Sequence, residues 1–109
     1  MTLPQFTELR RSTRVPLEVT MSIEGESTPI EGTTVVVNLH GALIRTNRVF
    51  TVGSQFQITV YLTGKTARAR VAHVSPENPL ECGIELDRPQ NIWGVSLIPD
   101  DWDEERLRQ

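Results

Sequence analysis

The sequence predicts an all-β protein, a six-stranded antiparallel β-barrel that ends in a short C-terminal helix or helical turn. Three observations lead to this prediction. Apolar and polar residues alternate with a period of two in several short stretches, which is the pattern of half-buried strands. Residues that favour turns, glycine and proline among them, separate these stretches. Helix signals occur only near the C-terminus, where acidic residues follow Pro99 and suit the positive end of a helix dipole.

The predicted strands span residues 15–24, 33–37, 42–46, 55–62, 65–75 and 80–87. The first has an apolar residue at every second position from Val15 to Ile23, and the second is β-branched throughout. Gly41 is expected to supply a positive φ angle in the tight turn between the second and third strands. In the fifth strand the alternation shifts near His73, which is the change that a β-bulge produces.

The chain is expected to form one domain, because 109 residues is close to the usual size of a single domain. We divide it into a basic N-terminal segment at residues 1–14, a β-barrel core at 15–87 and a C-terminal tail at 88–109 that packs on the barrel. Trp93 and Trp102 lie in the tail, and we expect both to pack over an open end of the barrel.

Composition excludes several classes of protein. A net charge of -3 argues against a dedicated nucleic-acid binder, whose surface is normally basic. No apolar run approaches the ~20 residues that span a bilayer, and the N-terminus lacks the pattern of a signal peptide, so neither membrane insertion nor export is expected. Cys82 is the only cysteine, which suits a reducing compartment and predicts a cytoplasmic protein.

No catalytic apparatus is predicted. The sequence contains no Gly-x-Ser-x-Gly nucleophile elbow, no His-Glu-x-x-His zinc pair and no glycine-rich phosphate loop. Cys82 alternates with apolar neighbours, which predicts a core position rather than a reactive thiolate. The sequence therefore predicts a binding module that has no catalytic residues, no metal and no cofactor.

The strongest candidate for ligand binding is the cluster of Arg10, Arg11 and Arg14 just before the first strand. A planar guanidinium can bond two phosphate oxygens or the O6 and N7 edge of guanine, and it can stack on a base. When the arginines are taken alone, a solvated basic segment is the better explanation. This segment has little apolar surface to hold it, so we expect it to be mobile until an anionic ligand orders it.

Four further residues are candidates for a role at the surface. His40 lies beside the turn and could contact a purine or remain an exposed turn histidine. His73 is expected to be a partly buried structural residue at the bulge. Arg68 and Arg70 share one face of the fifth strand, and outward-facing charges are the expected explanation.

Three features together resemble the PilZ domain family: Arg10-x-x-x-Arg14 before a strand, a turn that ends at Gly41, and the Cys-Gly-Ile-Glu-Leu sequence at 82–86. The resemblance spans nearly the whole chain. It implies a six-stranded barrel that, in many members, binds the bacterial second messenger cyclic di-GMP. In that family the arginines hold guanine and phosphate, and an Asp/Asn-x-Ser-x-x-Gly turn bonds a guanine edge.

The turn departs from the family pattern. Aligned on Gly41, Val36 stands where the family has Asp or Asn, and Asn38 stands where it has Ser. Asn38 can donate and accept hydrogen bonds, whereas Val36 has no polar atom to accept one from guanine. The resemblance therefore implies a ligand site that lacks one contact.

The resemblance implies a PilZ-like sensor or adaptor that binds cyclic di-GMP through the arginine segment and the turn, at Arg10, Arg11, Arg14, Asn38, His40 and Gly41. A protein partner is expected to receive the signal. The alternative is a ligand-independent interaction module, in which a barrel with a degenerate turn binds a protein, with the tryptophan-bearing tail as one contact surface. A nucleic-acid-binding barrel is disfavoured further by the small number of aromatic residues for base stacking.

Overall fold

A computed structural model describes residues 12–25 and 28–102 of the chain. In chain order the elements are β1 (Val15–Pro16), β2 (Thr20–Glu24), β3 (Ile30–Asn38), β4 (Gly41–Thr46), β5 (Gln55–Val60), β6 (Thr66–Val74), β7 (Glu81–Leu86) and a 3-10 helix (Asp100–Trp102). All strand pairings are antiparallel, in the order β1-β3-β2-β5-β6-β7-β4, and β3 also pairs with β4. Strands β2 to β7 thus form a closed six-stranded barrel, β1 is an extra strand on β3, and the predicted fold class is confirmed.

The first predicted strand is wrong in one respect, because it is interrupted. Its two parts, β1 and β2, both pair with β3, and the proline in β1 has no N–H to continue the ladder. The buried hydroxyl of Thr34 bridges the gap: it accepts a hydrogen bond from the N–H of Val19 at 2.9 Å and donates one to the carbonyl of Leu17 at 2.5 Å. Apolar alternation continues through the interruption, so the sequence pattern does not reveal it.

The fourth predicted strand ends earlier than expected. Strand β5 stops at Val60, and the N–H of Gly64 bonds the carbonyl of Val60 at 2.7 Å to close a tight turn. Gly64 has a φ of 71°, a conformation that favours glycine. Leu62, which the alternation placed on the inner face, consequently lies in this turn and is 70% exposed.

Two β-bulges interrupt the barrel ladders. The register of β6 against β7 shifts between Val71 and His73, which confirms the predicted bulge. A second shift occurs between Thr34 and Val36, where β3 pairs with β4, and the sequence did not indicate it. Bulges re-aim side chains, and both of these lie beside the groove described below.

The buried core contains the inward-facing residues of the strands and both tryptophans. Trp93 is 0% and Trp102 is 2% exposed, and each indole N–H has a carbonyl acceptor, in Asn38 and Thr13 respectively. Cys82 lies in the same core, as predicted, and its burial raises the pKa of its thiol. The C-terminal helical turn is therefore joined to the barrel through a buried aromatic residue.

Candidate ligand-binding groove

The turn between β3 and β4 is held by the side chain of Asn38. Its Oδ1 accepts hydrogen bonds from the N–H groups of His40 and Gly41, both at 2.8 Å. Asparagine favours such turns because its short side chain reaches the backbone two and three residues ahead. The side-chain oxygen of Asn38, which could have replaced the serine hydroxyl of the family motif, thus already accepts two hydrogen bonds within the turn.

Gly41 does not have the predicted positive φ angle, which is found among the described glycines at Gly53, Gly64 and Gly94. The position needs glycine for another reason. A β-carbon on Gly41 would lie 2.0 Å from the carbonyl oxygen of Ile84, because β4 and β7 approach closely here. Absence of a side chain, rather than backbone freedom, explains this glycine.

The turn is also held against the core by hydrogen bonds to three residues, one in the N-terminal segment and two in the tail. Leu39 is fully buried, its N–H donates to the Oγ of Ser12 at 3.0 Å, and its carbonyl accepts from the N–H of Gln90 at 2.9 Å. The indole of Trp93 donates to the carbonyl of Asn38 at 2.9 Å. These bonds fix the backbone of the turn against the core.

The described part of the arginine segment is attached to this turn. Ser12 is fully buried, although it lies within the basic segment, and Arg14 is exposed beside it. A hydrogen bond thus ties Ser12 to the turn, and the mobility of the segment without ligand stays a prediction. Arg10 and Arg11 lie outside the described residues.

A groove of about 450 Å³ runs along the outer surface of the barrel beside the turn. Four of the predicted site residues line it, namely Arg14, Asn38, His40 and Gly41. Val36 also lines it, so the apolar side chain in place of the family's polar residue lies at the site itself. The structure thus brings the arginine segment and the turn to one surface.

His73 belongs to this groove, contrary to the expectation of a partly buried structural residue. It is exposed, lines the groove and pairs with Gly83 after the bulge. A β-carbon on Gly83 would lie 2.2 Å from the Cε1 of His73, so the imidazole rests on the backbone of β7. The combination of a bulge on one strand and a glycine on the next was the available sequence signal.

One acidic residue, Glu85, also lines the groove. Its Oε1 forms an ion pair with Nη2 of Arg70 at 2.5 Å, which offsets part of its charge. Arg70 and Arg68 are both exposed on the outer face of β6, as expected. The charged side chains that line the groove are therefore Arg14 and Glu85, and the charge of Glu85 is partly offset by Arg70.

This arrangement suits the non-covalent binding of a planar, anionic ligand. Arg14 offers a guanidinium, while His40 and His73, which also line the groove, offer flat imidazole rings. Among residues 12–25 and 28–102, no group of three or more His, Cys, Asp or Glu side chains is placed to hold a metal ion. In the same residues, no helix has the length and apolar character needed to cross a membrane.

Comparison with known proteins agrees with this geometry. The family model of the PilZ domain matches residues 8–92, from the arginine segment to beyond the last barrel strand. No curated protein shows significant similarity to the chain. PilZ domains are generally receptors or adaptors for cyclic di-GMP, and they bind ligands rather than catalyse reactions.

Proposed function

Because the chain belongs to the PilZ domain family, we propose that it binds cyclic di-GMP in the groove beside the Asn38–Gly41 turn and acts as a sensor or adaptor. The observation that supports this most is that Arg14 and the turn line one groove, although they come from distant parts of the sequence. The proposal places the protein in the cytoplasm and involves no cofactor and no bond-making step.

In this proposal the arginines supply charge and the turn supplies shape. Arg14, together with Arg10 and Arg11, bonds the ligand phosphates and a guanine edge, since a guanidinium can engage either in bidentate fashion. Gly41 has no side chain, so β7 packs directly against β4 at the turn, and backbone from both strands lines the groove. His40 and His73 flank the bound bases and provide flat surfaces for stacking.

The affinity is expected to be lower than a complete turn motif would give. Val36 offers guanine no acceptor, and the Oδ1 of Asn38 is already bonded to the turn. A missing hydrogen bond to a charged acceptor costs about 1.5 to 3 kcal/mol, or roughly ten- to a hundredfold in affinity. The proposal is therefore a receptor of reduced affinity.

A second candidate function, ligand-independent binding of a protein partner, is favoured by two observations. One is Val36 in the groove. The other is a set of exposed apolar side chains near the tail: Leu62 is 70%, Leu97 91% and Ile98 51% exposed. Leu62 packs close to Gly94, a few residues before the other two. Exposed apolar side chains of this kind are common at protein interfaces.

Calorimetric titration with cyclic di-GMP separates the two candidates. We expect saturable binding that is weakened by salt, because charge-assisted contacts to phosphate are screened. Cyclic di-AMP is the matched control, since it has the same phosphates but lacks the guanine edge, and it should bind less tightly. Absence of binding at millimolar ligand, with the protein folded, would overturn the receptor proposal and favour the interaction module.

A further inference from the structure

Thr13, between the arginines of the basic segment, is held by two residues of the C-terminal helical turn. Its N–H and its hydroxyl both donate to Oδ2 of Asp101, each at 2.9 Å. Its carbonyl accepts a hydrogen bond from Nε1 of Trp102 at 2.8 Å. All the hydrogen-bonding groups of this residue are thus bonded to positions 88 and 89 residues later in the chain.

The two tail residues contribute in different ways. Trp102 is 2% exposed, so its burial anchors the tail in the core while its indole N–H reaches the segment. Asp101 is exposed and supplies a charged acceptor, which makes stronger hydrogen bonds than a neutral one. The N–H of Trp102 bonds the carbonyl of Pro99 at 3.0 Å, and this closes the helical turn that presents both side chains together.

The neighbours of Thr13 connect these bonds to the groove. Ser12 accepts a hydrogen bond from the N–H of Leu39 in the β3–β4 turn, and Arg14 lines the groove. The segment is therefore tied to the turn at one residue and to the tail at the next, immediately before the arginine that faces the ligand site. Loss of the tail contacts would leave one of these two attachments.

We propose that Asp101 and Trp102 form a clasp that positions Arg14 in the groove, and that the tail thereby sets the affinity for the ligand. Both are positioning residues, since they act through Thr13. The clasp fixes residues 12–14 in their binding-competent conformation before the ligand arrives, and affinity falls in proportion to the fraction of molecules that are competent. The effect on affinity rests on the proposed binding of cyclic di-GMP, whereas the clasp itself does not.

The test compares Asp101→Ala with Asp100→Ala. Both variants remove one exposed negative charge from the same helical turn, so they share any long-range electrostatic effect on an anionic ligand. Trp102→Phe is the second test variant, because it removes the indole N–H while keeping an aromatic ring in the core and leaving the charge unchanged. For each variant, hydrogen exchange of the Thr13 amide is measured without ligand, and the Kd for cyclic di-GMP is measured by calorimetry.

We expect Asp101→Ala and Trp102→Phe to accelerate exchange at Thr13 and to raise the Kd by about three- to thirtyfold, with Asp100→Ala close to wild type in both. Unchanged exchange in Asp101→Ala would overturn the clasp. Faster exchange with an unchanged Kd would overturn its role in positioning. If the wild-type protein binds no cyclic di-GMP, the proposed function is overturned. Hydrogen exchange at the Thr13 amide in Asp101→Ala would then still test whether the clasp exists.

Discussion

The imidazole of His73 lies on the backbone of Gly83 in the neighbouring strand, so closely that a β-carbon at position 83 would fall 2.2 Å from Cε1 and 2.6 Å from Nδ1 of the ring. The bulge in β6 brings these two residues opposite each other. A glycine on β7 therefore determines where an exposed aromatic side chain of the groove can rest.

Gly83→Ala should displace the imidazole of His73 and weaken binding of cyclic di-GMP. The ring can rotate away, so the fold should tolerate the change, whereas loss of a stacking surface costs about 1 kcal/mol or more, roughly fivefold in Kd. The control is a double-mutant cycle that combines Gly83→Ala with His73→Ala. If the ring is the cause, the double variant should bind no more weakly than His73→Ala alone, and additive losses would contradict this explanation.

Arg14→Ala should weaken cyclic di-GMP binding strongly, by about 2 to 5 kcal/mol, because a desolvated charge-assisted contact is lost. The matched control is Arg68→Ala, which removes the same exposed side chain from the outer face of β6. Titration of both variants should leave Arg68→Ala near wild type. Equal losses in the two would mean that only net charge matters and that Arg14 makes no specific contact. Arg10→Ala is expected to behave like Arg14→Ala.

Val36→Asp should strengthen binding by up to about tenfold, because it restores an acceptor for guanine at the position where the turn lacks one. Val36→Asn supplies an acceptor without a charge, which separates hydrogen bonding from repulsion between the carboxylate and the ligand phosphates. Thermal unfolding must accompany the titration, since a polar side chain replaces a half-buried valine. Weaker binding by folded Val36→Asp would argue against a guanine at this position.

Gly41→Ala should destabilise the fold by about 3 kcal/mol, at the upper end for overpacking, because the added methyl group would meet the carbonyl of Ile84 at 2.0 Å. A backbone atom cannot rotate away as a side chain can. Gly25→Ala is the control, since its nearest neighbour would lie 3.6 Å away, and it should change the free energy of unfolding by less than about 1 kcal/mol. Equal denaturation midpoints would show that β4 and β7 are not so close.

Cys82 should resist thiol reagents in the native protein at neutral pH and react once denaturant unfolds the chain. Burial raises the pKa of its thiol above the ordinary value of 9.0, and the thiolate is the reactive form. The unfolded chain loses its thiol proton first, so this contribution to stability is complete below the unfolded pKa and is lost as pH rises through the folded one. Cys82→Ala should reduce that alkaline loss in pH-dependent unfolding, and rapid labelling without denaturant would contradict the burial.

Much of the architecture follows from local sequence pattern. Alternation along the strands predicts which side chains fill the barrel, and it correctly places Cys82 in the core, because successive strand residues must point to opposite faces. The shift of that alternation near His73 predicts the bulge. The resemblance to the PilZ family implies that Arg14 and Gly41 serve one site, and both line the same groove.

Other features depend on which strands become neighbours, and local pattern carries no record of that. The apolar alternation does not reveal the break between β1 and β2. At the break the hydroxyl of Thr34, on the neighbouring strand, takes the place of the missing backbone hydrogen bonds. Gly41 and His73 are both explained by the close approach of β7, which adjacent residues in the sequence do not reveal. The hydrogen bonds that Thr13 donates to Asp101 join positions 88 residues apart, and only the tertiary fold brings these residues together. By itself the sequence determined most of the strand faces, the core and the resemblance of its motifs to those of the PilZ family, since these depend on residues close together in the chain. The tertiary structure decided the shape of the groove and the attachment of residues 12–14, since these depend on contacts between distant residues.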